Sequence, residues 1–455
     1  MQRGPKSSRR DFLKLATATT VASSSSLKFL EAQEATPVAP GERVGLATIG
    51  LGGQGTSDTK AALKVPGVEL VAVADLYDGR LARAKETFGE KVVTTRDYKE
   101  ILARPDVDAV IIGTSDHWHV PITVEALAAG KHVYCEKPMV QFWEEGHKVI
   151  EAQKKSGKVV QVGSQRVSSI IYLKARDLLA AGAIGELNMI DAWWSRNSPI
   201  GAWQYSIPPD ASPATVDWER YLGRAPKRPF DPLRFFRWRN YQDYGTGVAG
   251  DLFVHLFSGV HVITGSLGPT RVMSTGGLRF WKDGRDVPDV MLGLFDYPKT
   301  DRHPAFNLTL RVNFAEGGGD NSGLRFVGSE GVMTVSNEVT LSKQTRPQEP
   351  GFTIDTFPKA TQEHFMKGYR SRYPDNGPQL QPPLDVETFK PPREYNDTEH
   401  HFRNFFASIR DKAPMVEDAV FGLRAAGPAV VCNLSYFENK PYSWDPEAMK
   451  ATPKA

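Results

Sequence analysis

At 455 residues, with 40% hydrophobic, 24% charged and 10% aromatic side chains, the chain holds material for about two or three domains and fits neither a disordered polymer nor a polytopic membrane protein. The formal net charge of +3 sits in the first 40 residues, where three Lys and three Arg face one Asp and two Glu, so the remainder balances 50 basic against 50 acidic groups. A neutral body gives no electrostatic ground for a nucleic-acid or anionic-membrane partner. The two cysteines, Cys135 and Cys432, form no spaced disulfide framework and read as buried thiols.

The first segment, residues 1–40, reads as a targeting signal rather than fold. Ser8-Arg9-Arg10-Asp11-Phe12-Leu13-Lys14 precedes a weakly apolar stretch reaching about Leu30, and the pattern resembles a twin-arginine export signal. The stretch is too short and polar for stable membrane insertion. No Ala-x-Ala cleavage site stands out, and removal is expected between Leu30 and Pro40. Export by the twin-arginine machinery would place the protein in the periplasm or another extracytoplasmic space.

Residues 41–163 read as a doubly wound α/β domain. A β-run from Arg43 to Ile49 feeds directly into Gly50-Leu51-Gly52-Gly53-Gln54-Gly55, and a helical stretch follows from Thr56 to Leu63. This is G-x-G-x-x-G in the strand-to-helix setting that lets backbone approach a pyrophosphate. The next apolar run, Val68 to Ala74, ends at Asp75, 20 residues beyond Gly55, where a carboxylate would accept from both ribose hydroxyls and repel a 2′-phosphate. NAD is therefore expected rather than NADP. Arg80, one helical turn further on, reads either as a solvated helix residue or as a phosphate partner.

Helices follow at Gly79 to Phe88 and Tyr98 to Leu102, then strand Asp108 to Ile112, helix Ile122 to Ala129, strand His132 to Cys135, helix Trp143 to Ser156 and strand Lys158 to Val162. Such alternation predicts a parallel sheet with ligands gathered at the carboxyl ends of its strands. Two of those ends are rich in chemistry: Thr114-Ser115-Asp116-His117-Trp118-His119 and Glu136-Lys137-Pro138.

From about Ser164 the pattern changes to a second α+β domain, residues 164–455. A helix near Tyr172 to Ala181 and a strand from Glu186 to Trp194 are followed by runs at Val290 to Asp296, Asn307 to Phe314, Gly323 to Val327 and Val332 to Val335. Their alternation predicts a large, mainly antiparallel open sheet. Residues 193–244 are rich in aromatic and basic side chains, among them Trp193, Trp194, Arg237, Trp238 and Arg239, which read mostly as core or loop-pinning groups. A proline-rich run from Arg346 to Pro392 reads as an ordered arm able to serve an oligomer contact, and helices at Thr398 to Arg410 and Asp418 to Phe437 close the chain. His147 and His261 read as structural.

The glycine loop, Thr114-x-x-His117-x-His119, the phrase Ala-Gly-Lys-His-Val-x-x-Glu-Lys-Pro at Ala129 to Pro138, Asp251-x-x-x-His255, and Glu399-His-x-Phe-x-Asn-Phe together resemble the Gfo/Idh/MocA family of sugar dehydrogenases, over essentially residues 42–440. The resemblance implies a carbohydrate substrate, a homodimer or homotetramer, and closing helices that pack back on the first domain. It implies Lys137 beside the nicotinamide as donor to the substrate hydroxyl, with Asp251 and His255 completing the catalytic set.

His255 would take the hydroxyl proton, with an unperturbed value near ~6.5 suited to neutral pH, and Asp251 would orient it. The bland reading of that pair is a helix cap followed by a core histidine. Expected cofactor contacts are Gly50, Gly52, Gly53, Gln54, Gly55, Asp75, Arg80, Thr114, His117, His119, Glu136 and Lys137. Expected substrate contacts are Lys137, Arg166, Tyr172, Asp251 and His255, the middle pair lying near the family's Val-Gly-x-Gln stretch. No ligand spacing typical of zinc joins these groups, and no metal is expected.

Two reactions fit this set: net oxidation of a CH–OH carbon, or transient oxidation that permits glycoside cleavage and then reverses, as in the family's NAD-dependent α-N-acetylgalactosaminidases. Export favours a cofactor that stays bound. A catalytically silent nucleotide-dependent binding protein is a third class, against which Lys137, Asp251 and His255 argue.

Overall fold

The computed structural model describes residues 43–343, 352–372 and 385–454; the twin-arginine segment lies outside them. The first domain is built from β1 (Val44–Ile49), α1 (Gly53–Ala62), β2 (Val68–Ala74), α2 (Asp78–Phe88), β3 (Val93–Thr95), α3 (Tyr98–Leu102), β4 (Ala109–Ile112), α4 (His119–Ala128), β5 (His132–Cys135), α5 (Gly146–Ser156) and β6 (Val160–Val162). The strands form one parallel sheet in the order β3-β2-β1-β4-β5-β6, so the chain reverses direction between β1 and β4 and opens a crevice there. Strands β4 and β6 are buried along their whole length, as strands covered by helices on both faces must be.

Helix α1 begins at Gly53 rather than Thr56, which puts Gly53 and Gln54 in its first turn. Strand β3 falls between two helices read as consecutive. Its three residues are too few to show a period, and it pairs with β2 only on one side.

The second domain contains α6 (Ile170–Ala180), β7 (Leu187–Ser195), α7 (Trp218–Leu222), α8 (Pro232–Phe236), α9 (Val254–Thr264), β8 (Arg271–Gly277), β9 (Val290–Tyr297), β10 (Phe306–Asn313), β11 (Asn321–Gly328), β12 (Gly331–Val335), β13 (Val339–Lys343), α10 (Lys359–Arg372), β14 (Asp385–Phe389), α11 (Asp397–Arg410), α12 (Ala419–Glu438), β15 (Tyr442–Asp445) and β16 (Lys450–Pro453). Its ten strands run β14-β13-β12-β11-β7-β10-β9-β8-β15-β16. All neighbours are antiparallel except β7 with β10. Strand β10 alternates buried Phe306, Leu308, Leu310 and Val312 with more exposed neighbours, the signature of a sheet covered on one face. Strand β8 was not legible as a strand because Ser274, Thr275, Gly276 and Gly277 carry no apolar alternation. Within the proline-rich run, the described part holds α10, with no buried residue, and the edge strand β14.

Helix α11 returns to the first domain. Phe402, Phe405 and Phe406, all fully buried, pack with Val44, Leu46, Ala109, Ile111 and Tyr134 of the parallel sheet and Ala62 of α1, with Phe402 stacked on Tyr134 at 4.3 Å between ring centroids. Lys64 pairs with Glu399 across the same contact. No helix among the described residues is long and apolar enough to cross a membrane. Because the α11 aromatics complete the core of the parallel sheet, Phe405→Ala is expected to lower global stability by about 3–5 kcal/mol, read by urea denaturation followed by fluorescence.

Candidate active site

The glycine loop is shaped by contacts that tolerate no side chain. Gly50 sits at φ +90°, and a Cβ on Gly55 would lie 2.0 Å from the Gly50 carbonyl oxygen. A Cβ on Gly52 would meet nothing within 4 Å, so this face of the loop is open. Helix α1 starts with no side-chain cap, leaving its first N–H groups for an anion. Asp75 ties the tip of β2 to the loop: its carboxylate accepts from Leu51 N at 2.7 Å and Tyr77 N at 3.0 Å.

Gly50, Gly52, Asp75, Arg80 and Thr114 line a solvent-open cleft of about 680 Å³, with Phe235 and Trp238 on the far wall. An open glycine face, an uncapped helix and a carboxylate at the second strand tip fit a dinucleotide. Three arginines border this cleft, and each has a carboxylate: Arg80 with Asp75, Arg96 bidentate on Asp78, and Arg220 near Asp97 and Asp217.

The second centre lies at the β5 tip. Lys137 Nζ donates to the backbone oxygen of Asp251 at 3.1 Å and to its Oδ1 at 3.0 Å, and Arg239 Nε donates to the same Oδ1 at 3.1 Å. Asp251 belongs to a π-helical turn, Ala249–Phe253, preceding α9, instead of the regular α-turn expected, a widening frequent at functional sites. Burial alone would raise the Asp251 carboxyl, but the charges of Lys137, Arg239 and Arg196 outweigh it and hold the group ionised well below the usual carboxylate range.

Asp251 does not hydrogen-bond His255, which corrects the expected orienting role. The His255 ring lies against Trp194, with centroids 5.1 Å apart. Burial first, then the charges of Lys137, Arg166 and Arg196, push His255 well below its ordinary 6.5, with Asp251 opposing. It is a neutral imidazole across the physiological range, available as a proton acceptor.

Four expected cofactor contacts are placed elsewhere. Glu136 turns into the interior, where it accepts from Gln165 Nε2 at 2.7 Å and Lys137 N at 3.1 Å. It neighbours Asp58 of α1, which burial and the Glu136 charge raise far enough to hold the proton of the pair. Gln54 in turn donates to Asp58 Oδ1 at 2.9 Å, so Gln54 braces the helix instead of facing the open side of the loop. His119 donates from Nδ1 to Pro138 O at 2.7 Å, with Nε2 facing Thr114 O at 3.2 Å; it ties the two strand tips together from inside. His117 meets Tyr221 O at 2.9 Å and Ser115 Oγ at 3.1 Å among buried rings. Burial lowers both histidines to about 4.

Of the expected substrate groups, Arg166 donates to Asn337 at 2.7 Å and lies 3.9 Å from Asp397. Tyr172 is buried against Gly259 of α9, with the charge of Arg166 acting on its hydroxyl.

Trp194 and Arg239 belong to the aromatic and basic stretch expected to be mostly core or loop-pinning, Arg196 lies unnamed in the same stretch, and Asp116 is part of the β4 tip with no role assigned to it. Asp116 is fully buried, accepts from Thr246 N and Oγ1 at 3.0 and 2.7 Å, and is raised to about 7 by burial and by the charge of Asp251.

Parallel topology, glycine loop and strand-tip carboxylate define an α/β dinucleotide-binding domain joined to an open-sheet domain. Residues 44–164 match the Gfo/Idh/MocA family model, described as an oxidoreductase family with an NAD-binding Rossmann fold. An inositol 2-dehydrogenase of Salmonella typhimurium is 35% identical over 144 residues, 31% of this chain and 43% of that protein. A glycosyl hydrolase family 109 protein of Shewanella baltica is 30% identical over 202 residues, 39% of this chain and 44% of its own. The match thus spans less than half the length of either relative. The fold as a whole is similar to that of a levoglucosan dehydrogenase in complex with NADH and levoglucosan, at a TM-score of 0.63, covering 88% of this chain and 99% of that one at 16% identity.

A carboxyl raised in the folded state binds protons on folding, so its contribution to stability is present at low pH and falls as pH rises from its unfolded value near ~3.9 to about 7. Asp116→Asn is expected to remove that contribution: the difference in melting temperature between variant and wild type should grow in the variant's favour across this interval and be level above it.

Proposed function

We propose that this chain is an NAD-dependent oxidoreductase acting on a CH–OH carbon of a sugar or polyol, with 41–163 as the dinucleotide domain and 164–455 as the substrate domain. The observation that carries the reading is the shared carboxylate of Asp251, which holds Lys137 at the β5 tip while Lys137 is the leading charge acting on His255. The α1 amides and glycine loop would hold the pyrophosphate and Asp75 the ribose. When bound there, NAD supplies the hydride acceptor.

The ammonium of Lys137 donates to the substrate oxygen and stabilises it as negative charge develops, and a ring nitrogen of neutral His255 accepts the hydroxyl proton. Arg239 keeps Asp251 ionised and so keeps Lys137 in place. Pairing of Arg80, Arg96 and Arg220 with carboxylates leaves no unmatched charge for a 2′-phosphate, which favours NAD over NADP.

The similarity to a family 109 glycosyl hydrolase supports a second reading, in which oxidation is transient and a glycosidic bond is cleaved. Incubation with aryl glycosides and no added cofactor separates the two: aglycone release without net reduction selects cleavage. Residues 1–40 support export by the twin-arginine machinery with NAD tightly bound, since a space without a cofactor pool would stall an exchanging enzyme. Protein that is dialysed and then denatured should release close to one dinucleotide per chain, and a much smaller yield refutes tight binding.

A homodimer is supported by the outer face of the second sheet, where Met273 and Leu294 are paired neighbours, Leu292 lies beside them, and all three are 43–49% exposed. His255→Asn is expected to reduce turnover by about 10²–10⁴-fold while leaving dinucleotide affinity unchanged. Because His255 is depressed, the acid limb of the wild-type rate profile should fall well below pH 6.5. Unchanged turnover in the variant would remove His255 from the mechanism.

A further inference from the structure

Beyond the Lys137–Asp251–His255 centre stands a cation that this chemistry does not use. Arg196 follows β7, and its guanidinium carbon lies 5.8 Å from the ring centre of Trp194 and 5.6 Å from that of Phe314. Trp194 is the ring packed against His255, so Arg196 and the proton acceptor contact the same indole. The loop beyond Arg196 is held firmly. Trp203, in the left-handed region at φ 65°, is buried edge-on against Phe314 at 4.8 Å, and the side chain of Arg285 donates to Ala202 O at 2.7 Å. Strain of that kind persists only where surrounding packing enforces it.

Only Nη1 of Arg196 is engaged, on Gly201 O at 2.9 Å, and no carboxylate among the described residues pairs with it. The carboxylates beside its chain neighbours are engaged elsewhere, Glu316 with Ser195 Oγ at 3.5 Å and Arg311 at 3.6 Å and Asp320 with Asn197 N at 2.7 Å. Lys137 and Arg239 already share the single carboxylate of Asp251, and Arg166 has Asp397 at 3.9 Å. A half-buried guanidinium with free donors is matched best by a planar or tetrahedral oxyanion.

We propose, on the footing of the oxidoreductase reading above, that the substrate is an anionic sugar whose negative group is received by Arg196 while a carbinol of the same ring lies at Lys137 and His255. Trp194 offers the flat apolar surface between these two points. A carboxylate, as in a uronate, or a sulfate ester would supply the charge.

The test is calorimetric titration of the full chain, saturated with NAD, with matched pairs: glucuronate against glucose, galacturonate against galactose, and glucose 6-sulfate as the ester arm. At least one anionic member is expected to bind about tenfold or more tighter than its neutral parent. That ratio should shrink at high salt and approach one in Arg196→Gln, with partial recovery in Arg196→Lys. If Arg196→Gln fails to fold, the wild-type ratio and its salt dependence decide. Equal or tighter binding of the neutral parents, no binding of any anionic member at millimolar concentration, or a ratio that survives Arg196→Gln would overturn the inference. Turnover with NAD, followed in the same samples, judges the oxidoreductase reading separately: neutral sugars oxidised without an anionic preference sink only the inference, and tight uronate binding without any oxidation sinks only the reading.

Discussion

A single carboxylate oxygen, Oδ1 of Asp251, accepts from both Lys137 and Arg239, and the arrangement of the candidate site depends on it. Lys137 arrives from the parallel sheet, Asp251 from the turn before α9, and Arg239 from the short helical segment after α8. Each is mostly buried, and a buried ion without a partner is strongly unfavourable. The three charges therefore hold one another, and with them the distance between two domains' worth of backbone. Burial and local field set the remaining properties: Lys137 and Arg196, which help keep Asp251 ionised, add to the burial that depresses His255, and Asp251 adds to the burial that raises Asp116 to about 7.

A second constraint supports the first from beneath. Gln54, Asp58, Glu136 and Lys137 form a line from the glycine-loop helix to the lysine, and His119 ties the β4 tip to Pro138. Residues that look like cofactor ligands by position are, in this fold, the buried frame that positions the loops carrying the ligands. A helix from the far end of the chain closes the same domain, since the α11 phenylalanines fill the core under β1 and β4. Cofactor cleft and carboxy-terminal segment are thus mechanically one unit.

The dinucleotide domain was largely legible in sequence because its information is local. A glycine loop between strand and helix, a carboxylate at a fixed distance, and short strands separated by helices are all written within about 120 residues. Its failures were local as well: Val93–Thr95 is too short to show a period, and the first turn of α1 hid behind the glycines. In the second domain β8 was lost where Ser, Thr and Gly replaced apolar alternation. Of the candidate site, Lys137, Asp251 and His255 stand in compact motifs that single them out. Arg239, Trp194 and Arg196 carry no motif, and their meaning comes from what stands across from them.

The chain by itself determined the class of the first domain and singled out Lys137, Asp251 and His255 as candidates, because these follow from residue type and spacing along a segment. Tertiary structure alone decided which charges meet. Only folding brought Arg239 and Lys137 to one carboxylate oxygen, turned Glu136 and His119 inward, and set Arg196 beside Trp194 with no paired carboxylate among the described residues. Spacing fixes neighbours along a chain, whereas electrostatic pairing depends on distance through space, and residues 114 positions apart, as Lys137 and Asp251 are, have none until both sheets have formed.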